Sequence, residues 1–423
     1  MKYSPAHQQL STLFSPRSIA LVGASKHPET VGGTLLKNLI GGGFKKPLFL
    51  VNPKYERIEK FPCYPNLSDI PTRQVDLIII ATPAKTVPSI LEQAVRKKVT
   101  AGIIISAGFA EEGGKGKKLE QQIQSIVKKN KIRLLGPNCL GLMNTDSKLN
   151  ASFAADMPKA GPIGFLSQSG AFCTAILDWA QQRSLGFSSI ISVGNEADLN
   201  ETDFIEYLAG DKQTKVISGY VKSIGNLKRF LNAAKSITPT KPIILLKGGP
   251  KKEVEIKRAF RKAGIVHAKT SRELFQLSLT FAEAPLPKGP RVAIVSNGGG
   301  PVTIAVDEIK KRRLKLAQKP IDLIGDAPPE RYRMALDLVS RDRNIDMLIV
   351  FLTHQRMTDP DKVADIIVQA KKKFKKPLLV SFMGGDDVLP ALKNLQKHHI
   401  PTFSFPEEAI KTAAALYHAS KPR

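Results

Sequence analysis

"SIALVGASKHPETVGGTLLKNLIGGGFKKPLFLVNP" (Ser18–Pro53) decides the architecture. Its opening run, Ile19 to Val22, is apolar at every position, as a strand buried on both faces requires. Gly23 and a polar loop follow, then a segment with leucines at helical spacing, "GGTLLKNLIGGGF", and a second apolar run, "PLFLVNP" (Pro47–Pro53). Strand, glycine-bearing loop, helix and strand in that order form a βαβ unit, the building block of a parallel sheet.

The same alternation continues outward. A third strand is expected in "VDLIIIATP" (Val75–Pro83), and the helix "VPSILEQAVRKK" leads to a fourth in "AGIIISAGF" (Ala101–Phe109). A helix over about Lys117–Lys129 leads to a fifth in "IRLLGPNCLG" (Ile132–Gly141). This is a doubly wound sheet, with a domain expected over residues 1–145. Every strand ends in Gly, Pro, Ser or Asn, and in open parallel sheets the ligand crevice lies beyond those carboxyl ends.

After a loop expected around Asn144–Ala160, a second sheet starts at "GPIGFLSQSGAF", within a domain expected over 155–285. After the proline-rich break "APLPKGP", a third starts at "GPRVAIVSNGGGPV", within a domain expected over 289–423. The two are copies in outline. Each begins Gly-Pro and runs through a strand into a Ser-containing loop and a helix. Each later has a Lys-Pro-apolar strand closing on two glycines, "KPIILLKGG" to Gly249 and "KPLLVSFMGG" to Gly385. The next strand starts 16 positions after Gly249, at Ile265, and 15 after Gly385, at Ile400. The pattern predicts two flavodoxin-like domains related by duplication.

The bulk composition narrows the function. With 423 residues the chain is too long for a single core, and about three domains of 100–150 residues are expected. A composition 42% hydrophobic and 24% charged is that of a soluble globular protein. No apolar run approaches the roughly 18 residues of a membrane span. The N-terminal "MKYSPAHQQLSTLF" has no apolar core of a signal peptide, so a cytoplasmic protein is expected. The net charge of +27 is spread through contexts such as "VRKKV", "VKKNK" and "QAKKKFKK", with only 6% aromatics and no nucleic-acid motif. It reads as a solvated basic surface, compatible with a polyanionic small ligand or an acidic protein partner. Cys63, Cys139 and Cys173 are odd in number and far apart, so they read as small core residues rather than a disulfide framework or metal site.

Three loops could carry chemistry. "VGASKHPETVGG" (Val22–Gly33) joins a strand to a helix, where glycines let backbone N–H groups approach a phosphate. Its spacing is not GxGxxG, and after the second strand Asn52-Pro53-Lys54 stands where a dinucleotide site would need an acid for the ribose diol. A lysine there suits a ligand with an extra phosphate; it also suits plain surface exposure. "SQSG" (Ser167–Gly170) can cap the following helix or bind an anion. "SNGGG" (Ser296–Gly300) is similar, though its glycines also serve close strand-to-helix packing. Of the seven histidines, His7, His27, His267, His354, His398, His399 and His418, only His27 lies in such a loop. No nucleophile–base–acid constellation and no metal-ligand spacing is found.

Nearly the whole chain resembles the α subunit of the NDP-forming acyl-CoA synthetases, the ADP-forming acetyl-CoA synthetases and their relative succinyl-CoA synthetase. The resemblance rests on motifs in order: "SIALVGAS", "GGGFKKPLFLVNPK", "VDLIIIATPA", "SAGFAEEG", "RLLGPNCLG", "GPIGFLSQSGAF", "SVGNEADLNETDFIEYLAGD" and "DAPPERYRMAL". It implies an α/β protein with an N-terminal Rossmann-like CoA-binding domain and two flavodoxin-like, succinyl-CoA synthetase-like domains. It also implies coenzyme A or acyl-CoA as ligand, a separate ATP-grasp subunit as partner, and oligomerisation. Carried onto this chain, Gly23, Ala24 and Ser25 would meet the pyrophosphate, with Asn52, Pro53 and Lys54 after the second strand. Thr82 and Pro83, and Ser106, Ala107, Gly108 and Phe109, would follow the next two strands. Pro137 and Asn138 would lie near the thiol and acyl group, and Ser167, Ser169 and Gly170 would be what remains of a phosphoryl cradle.

Two departures from the family pattern matter. The family carries a phosphorylated histidine in a Ser-His-Thr-Gly loop directly after the strand matching "PIILLKGG". Here only the 11 residues Gly248–Arg258 separate Lys247 from Ala259, and none is histidine. The family also has a glutamate to orient that histidine where this chain has Lys222, after Tyr220 and Val221. A cation in place of a carboxylate has the opposite effect on an imidazolium. No catalytic residue and no metal ligand is therefore assigned. The expectation is a CoA- or acyl-CoA-binding sensor or scaffold without phosphohistidine transfer, a pseudoenzyme. The alternative is the α subunit of an acid–thiol ligase making acyl-CoA from a carboxylate, CoA and ATP.

Overall fold

A computed structural model describes residues 5–182, 185–249 and 253–421. The chain divides into two compact units, one of residues 1–237 and 243–263 and the other of 238–242 and 264–423.

The first unit holds two sheets. The strands of the first are β1 (Ile19–Val22), β2 (Leu48–Val51), β3 (Arg57–Ile58), β4 (Phe61–Tyr64), β5 (Leu77–Ile80), β6 (Ala101–Ile104) and β7 (Arg133–Leu135). They lie in the order β3-β4-β2-β1-β5-β6-β7, and all pairings are parallel except β3 with β4. β1, β5 and β6 are buried at every residue, which is why they read as unbroken apolar runs. Strand order reverses direction at β1, with β2 on one side and β5 on the other, so the crevice for a ligand opens between the ends of β1 and β5. Gly23, at φ +90°, makes the sharp exit there; a Cβ on it would lie 2.4 Å from the carbonyl oxygen of Ala81. Thr30 then caps the helix Val31–Gly41, its Oγ1 accepting from the Gly33 N–H at 3.1 Å.

The second sheet of this unit contains β8 (Gly141–Asn144), β9 (Leu149–Ser152), β10 (Ala160–Ser167), β11 (Phe187–Ser192), β12 (Val216–Val221) and β13 (Ile243–Lys247), ordered β13-β12-β10-β11-β8-β9. The stretch expected as a loop after Asn144 in fact holds β9, the return strand of a β8–β9 hairpin in which β8 pairs antiparallel with β11 and β9 forms the sheet edge. Its polar residues are buried against specific partners. Asn144 Nδ2 donates to Ser189 Oγ at 3.0 Å, and Asn38 of the first helix donates to the carbonyls of Ser152 and Ala154 at 2.9 and 2.7 Å. The segment after β11 runs along the end of β7, with hydrogen bonds from Leu199 N to Leu134 O at 3.1 Å and from Asn195 N to Pro137 O at 2.8 Å. The Asp198 carboxylate closes the same seam, on Arg133 Nε at 3.0 Å and Leu134 N at 2.8 Å. The carboxyl ends of the two sheets are thereby fixed side by side.

The second unit contains β14 (Val266–Ala268) and a sheet of β15 (Arg291–Ser296), β16 (Lys315–Leu316), β17 (Ile321–Asp322), β18 (Met347–Thr353), β19 (Leu378–Met383) and β20 (Thr402–Phe403). The order is β16-β15-β18-β19-β20, with β17 also on β15 and every pairing parallel. Its core packs Tyr332, Leu336 and Val339 from one helix, and Val363 and Ile367 from the next, onto β15, β18 and β19.

The repeat read in the sequence has a local counterpart. After β10, Ser167 Oγ donates to Ser169 O at 2.9 Å and accepts from Ser169 N at 3.0 Å. After β15, Ser296 Oγ donates to Gly298 O at 2.9 Å and accepts from Gly298 N at 3.0 Å. The same turn, closed by the same serine, starts a helix in both copies. Among the described residues no helix is long and apolar enough to cross a membrane.

Candidate functional site

The carboxyl ends of the first sheet open into a cleft of about 490 Å³. Thr82 and Pro83 after β5, Ser106 and Ala107 after β6, and Asn138 after β7 line it, together with Gly170 at the start of the helix that follows β10. Six residues singled out in the sequence thus meet on one surface. Val31 and Phe153, 43% and 38% exposed, add an apolar rim. The backbone holds the polar ones: Ser106 Oγ donates to Thr82 O at 2.5 Å, and Asn138 N to Ser106 O at 2.9 Å.

The glycine loop stands beside the cleft rather than in its lining. Gly23 packs on Ala81 and Thr82, Ala24 is fully buried, and Ser25 Oγ accepts from the His27 N–H at 3.1 Å. Asn52 ties this loop to the second strand, its Nδ2 donating to Ala24 O at 2.7 Å and its Oδ1 accepting from Lys54 N at 3.0 Å. Pro53 and Lys54 are exposed. Gly108 and Phe109 turn away: the Phe109 side chain is fully buried in the core of the first sheet, and only its backbone N–H, with that of Gly108, faces the Glu111 carboxylate at 3.2 and 2.6 Å. Pro137 is buried and does not line the cleft. His27 is exposed, 3.6 Å from Glu29. The three cysteines are buried and free, and burial pushes the thiols of Cys139 and Cys173 up to about 12, which makes them inert.

A second cleft of about 430 Å³ shares Asn138 with the first. Glu111, Gln168, Asn195, Glu196, Lys222 and Ser223 line it. Asn195 organises one wall: its Nδ2 donates to Glu120 Oε2 at 2.9 Å and to the Glu111 carboxylate, while its Oδ1 accepts from Asn138 at 3.3 Å. Burial acts to raise the Glu111 carboxyl, but the hydrogen bonds from Asn195, Gly108 and Phe109 outweigh it and hold the group below its ordinary value. Gln168 organises the other wall, donating to Glu196 Oε1 at 2.5 Å and to Ser223 O at 2.8 Å. Glu196 sits in the left-handed region at φ +63°, and its carboxyl is pushed up to about 8 by burial and by the neighbouring Glu201.

Family patterns match three segments: a CoA binding domain over residues 17–145, a succinyl-CoA ligase-like flavodoxin domain over 160–255 and a ligase-CoA domain over 305–421. The α subunit of Pyrococcus furiosus acetate–CoA ligase [ADP-forming] I is 33% identical over 97% of this chain and 98% of its own length. The chain belongs to the ADP-forming acyl-CoA synthetase family. It is an α-subunit-like member, and the fold agrees. A Candidatus Korarchaeum cryptofilum acetyl-coenzyme A synthetase 1, solved in complex with phosphate and ADP, superposes with a TM-score of 0.92 at 30% identity, over 97% of both chains. The ADP-forming acetate–CoA ligase I of Archaeoglobus fulgidus is 36% identical over 97% of this chain, which spans only 64% of that longer protein. That match runs over 448 positions against the 423 residues here, so the relative carries segments with no counterpart in this chain.

Sequence reasoning did not single out the carboxylates of the second cleft. Glu111 lies inside the motif "SAGFAEEG" and Glu196 inside "SVGNEADLNETDFIEYLAGD", but nothing in their spacing marks them as neighbours of Gln168 or Asn138.

Proposed function

We propose that this family member binds coenzyme A and acyl-CoA in the first cleft, as the α component of an acid–thiol ligase whose nucleotide chemistry resides on a separate ATP-grasp subunit. The observation that carries this reading is the convergence of Thr82, Pro83, Ser106, Ala107 and Asn138, from three successive strand ends, on a cleft that continues into a second one at Asn138. The exposed Lys54 and the glycine loop suit the phosphates of CoA at one end, and Val31 and Phe153 suit an apolar pantetheine arm. Coverage of 98% of two Pyrococcus furiosus α subunits supports an α-type chain working with a second polypeptide. In this reading CoA is a substrate that enters and leaves, not a resident cofactor.

A second reading, CoA binding without phosphoryl transfer, is favoured by one specific feature. Where β13 ends, Gly248 lies against the Tyr220 ring, and the Lys247 ammonium is held by the carbonyls of Lys222, at 2.8 Å, and of Gly248. The following residues to Arg258 include no histidine, and Lys222 faces the cleft in place of an acid.

Calorimetric titration of the purified chain with CoA, acetyl-CoA and NAD tests the shared core of both readings. Selective micromolar binding of CoA or its thioester is expected; equal or absent binding of all three would overturn it. Incubation with labelled ATP and an ATP-grasp subunit then separates the two. An acid-labile, base-stable phosphoryl group on the chain supports the ligase, and its absence together with tight CoA binding supports the binding module.

A further inference from the structure

Glu201 is the first residue of the helix Glu201–Gly210 and is 1% exposed, yet its Oε2 accepts from no donor among the described residues. A buried carboxylate oxygen left unpaired is costly, so a partner is expected. The carboxyl group within hydrogen-bonding reach is that of Glu196. Two carboxyls can be hydrogen-bonded to each other only with a proton between them. The surrounding cations are engaged elsewhere. Arg133 binds Asp198 at 3.0 Å and lies 3.9 Å from Asp203, and Arg229 binds Asp203 at 2.7 Å and Glu206 at 3.1 Å. Of these two, Arg229 acts on Glu201 through its longer-range field.

We propose that Glu196 and Glu201 form a one-proton carboxyl pair, and that Glu196 is thereby a positioning residue that meets an oxyanion in the second cleft as a neutral acid. Glu201 is the better seat for the charge, because it stands at a helix N-terminus with its own N–H directed at it. Glu196 is the better seat for the proton. Its main chain is held at φ +63°, and Gln168 Nε2 fixes Oε1 and leaves the other oxygen for the shared proton. The consequence for the cleft is a charge count. With the proton present, one carboxylate, Glu111, faces one ammonium, Lys222; without it, two carboxylates face that ammonium. An oxyanion is then repelled. Asp203 and Glu120 lie further back and are spoken for by Arg229 and Asn195. That the oxyanion is an acyl carboxylate or a phosphoryl group rests on the ligase reading; the proton pair does not.

The test uses the full chain carrying carboxyl-¹³C glutamate, with sulfate and acetate as probes whose own charges are constant between pH 6.5 and 9. One glutamate carboxyl signal is expected to titrate near pH 8, to be missing in Glu196→Gln and to move to lower pH in Glu201→Gln. A second raised signal is expected from Glu283 at about 7 and is identified by Glu283→Gln. At least one anion is expected to shift the amides of Asn138 and Ser223 and to bind about fivefold or more weakly at pH 9 than at pH 7, with that ratio near one in Glu196→Gln. Preference for sulfate marks a phosphoryl site and preference for acetate a carboxylate site. Assignment of every glutamate signal other than that of Glu283 to a midpoint below pH 6 overturns the pair. Binding of neither anion, or an unchanged ratio in Glu196→Gln, overturns the oxyanion role. Failure of CoA to bind while the Glu196 signal titrates near 8 would count against the ligase reading alone.

Discussion

The side chain of Gln168 grips the backbone of Ser223 from both sides, its Nε2 donating to the Ser223 carbonyl at 2.8 Å and its Oε1 accepting the Ser223 N–H at 3.0 Å. The same oxygen also accepts from Lys222 N at 2.5 Å. One amide thus fixes the exit of β12 relative to that of β10. In the sheet of the second unit Asn297 does the same to Thr353, donating to its carbonyl at 2.9 Å and accepting from its N–H at 2.8 Å. Removing the Asn297 amide leaves partly buried backbone groups without partners, whereas the groups held by Gln168 are exposed and can turn to water. Asn297→Ala should destabilise the chain by about 1–3 kcal/mol in urea denaturation, and Gln168→Ala by less. Only Gln168→Ala should also weaken sulfate or acetate binding in the second cleft. A Gln168→Ala chain with unchanged stability would show that water replaces the clamp.

Gly23 offers a sharper probe of the first cleft. Its φ of +90° is open to glycine alone, and an added methyl would meet the Ala81 carbonyl at 2.4 Å and Thr82 Cγ2 at 2.9 Å. Gly23→Ala should cost about 2 kcal/mol or more in stability and displace the strand ends that line the cleft, so that CoA affinity falls as well. Gly113→Ala, at φ +70° but with no atom within 4 Å of the added methyl, separates the two effects: it should cost about 1 kcal/mol from conformation alone and leave CoA binding unchanged.

What the sequence made legible follows from where each residue's partners lie. β1, β5 and β6 are covered on both faces, so their own composition announces them. The β8–β9 hairpin is buried just as fully, but through polar side chains such as Asn144 and Ser152, whose partners Ser189 and Asn38 are 45 and 114 residues away. No local pattern carries that information. The site divides in the same way. Strand-end residues such as Thr82, Ser106 and Asn138 could be read because the doubly wound topology sends strand ends to one crevice. Phe109 could not be placed correctly from its position in the loop, because which way a loop side chain turns depends on the core beneath it. The Glu196–Glu201 pair is separated by a helix cap, and its significance arises only because Arg133 and Arg229 are drawn off to Asp198, Asp203 and Glu206.

Lys54 tests where the CoA phosphates lie in the proposed reading. It is exposed and its backbone N–H is anchored to Asn52 Oδ1 at 3.0 Å, so a side-chain substitution should leave the fold intact. If CoA binds as proposed, Lys54→Glu reverses a charge near the ligand phosphates. CoA affinity should fall about tenfold at low salt, with the loss shrinking as salt is added. The measurement is calorimetric titration at two ionic strengths. Equal affinity for the two proteins at low salt would remove Lys54 from the site.

The raised carboxyl of Glu196 also predicts a pH dependence of stability with a definite sign. In the unfolded chain the group ionises at the ordinary glutamate value, whereas in the folded chain it keeps its proton up to about 8. Between those two values the folded state holds a proton that the unfolded state has released, so stability from this group is fully present below the lower value and declines as pH rises through the window. Each pH unit inside the window lowers stability by about 1.4 kcal/mol when a single group is responsible. Above the folded value the decline ends. Glu196→Gln has no proton to lose there, so the gap between the variant and the wild type should shift steadily in favour of the variant from about pH 5 to pH 8 and then stay constant. Urea melts of both proteins at half-unit intervals measure the gap directly. Parallel curves across that range would mean that Glu196 ionises normally in the folded chain, and the carboxyl pair with it would be lost.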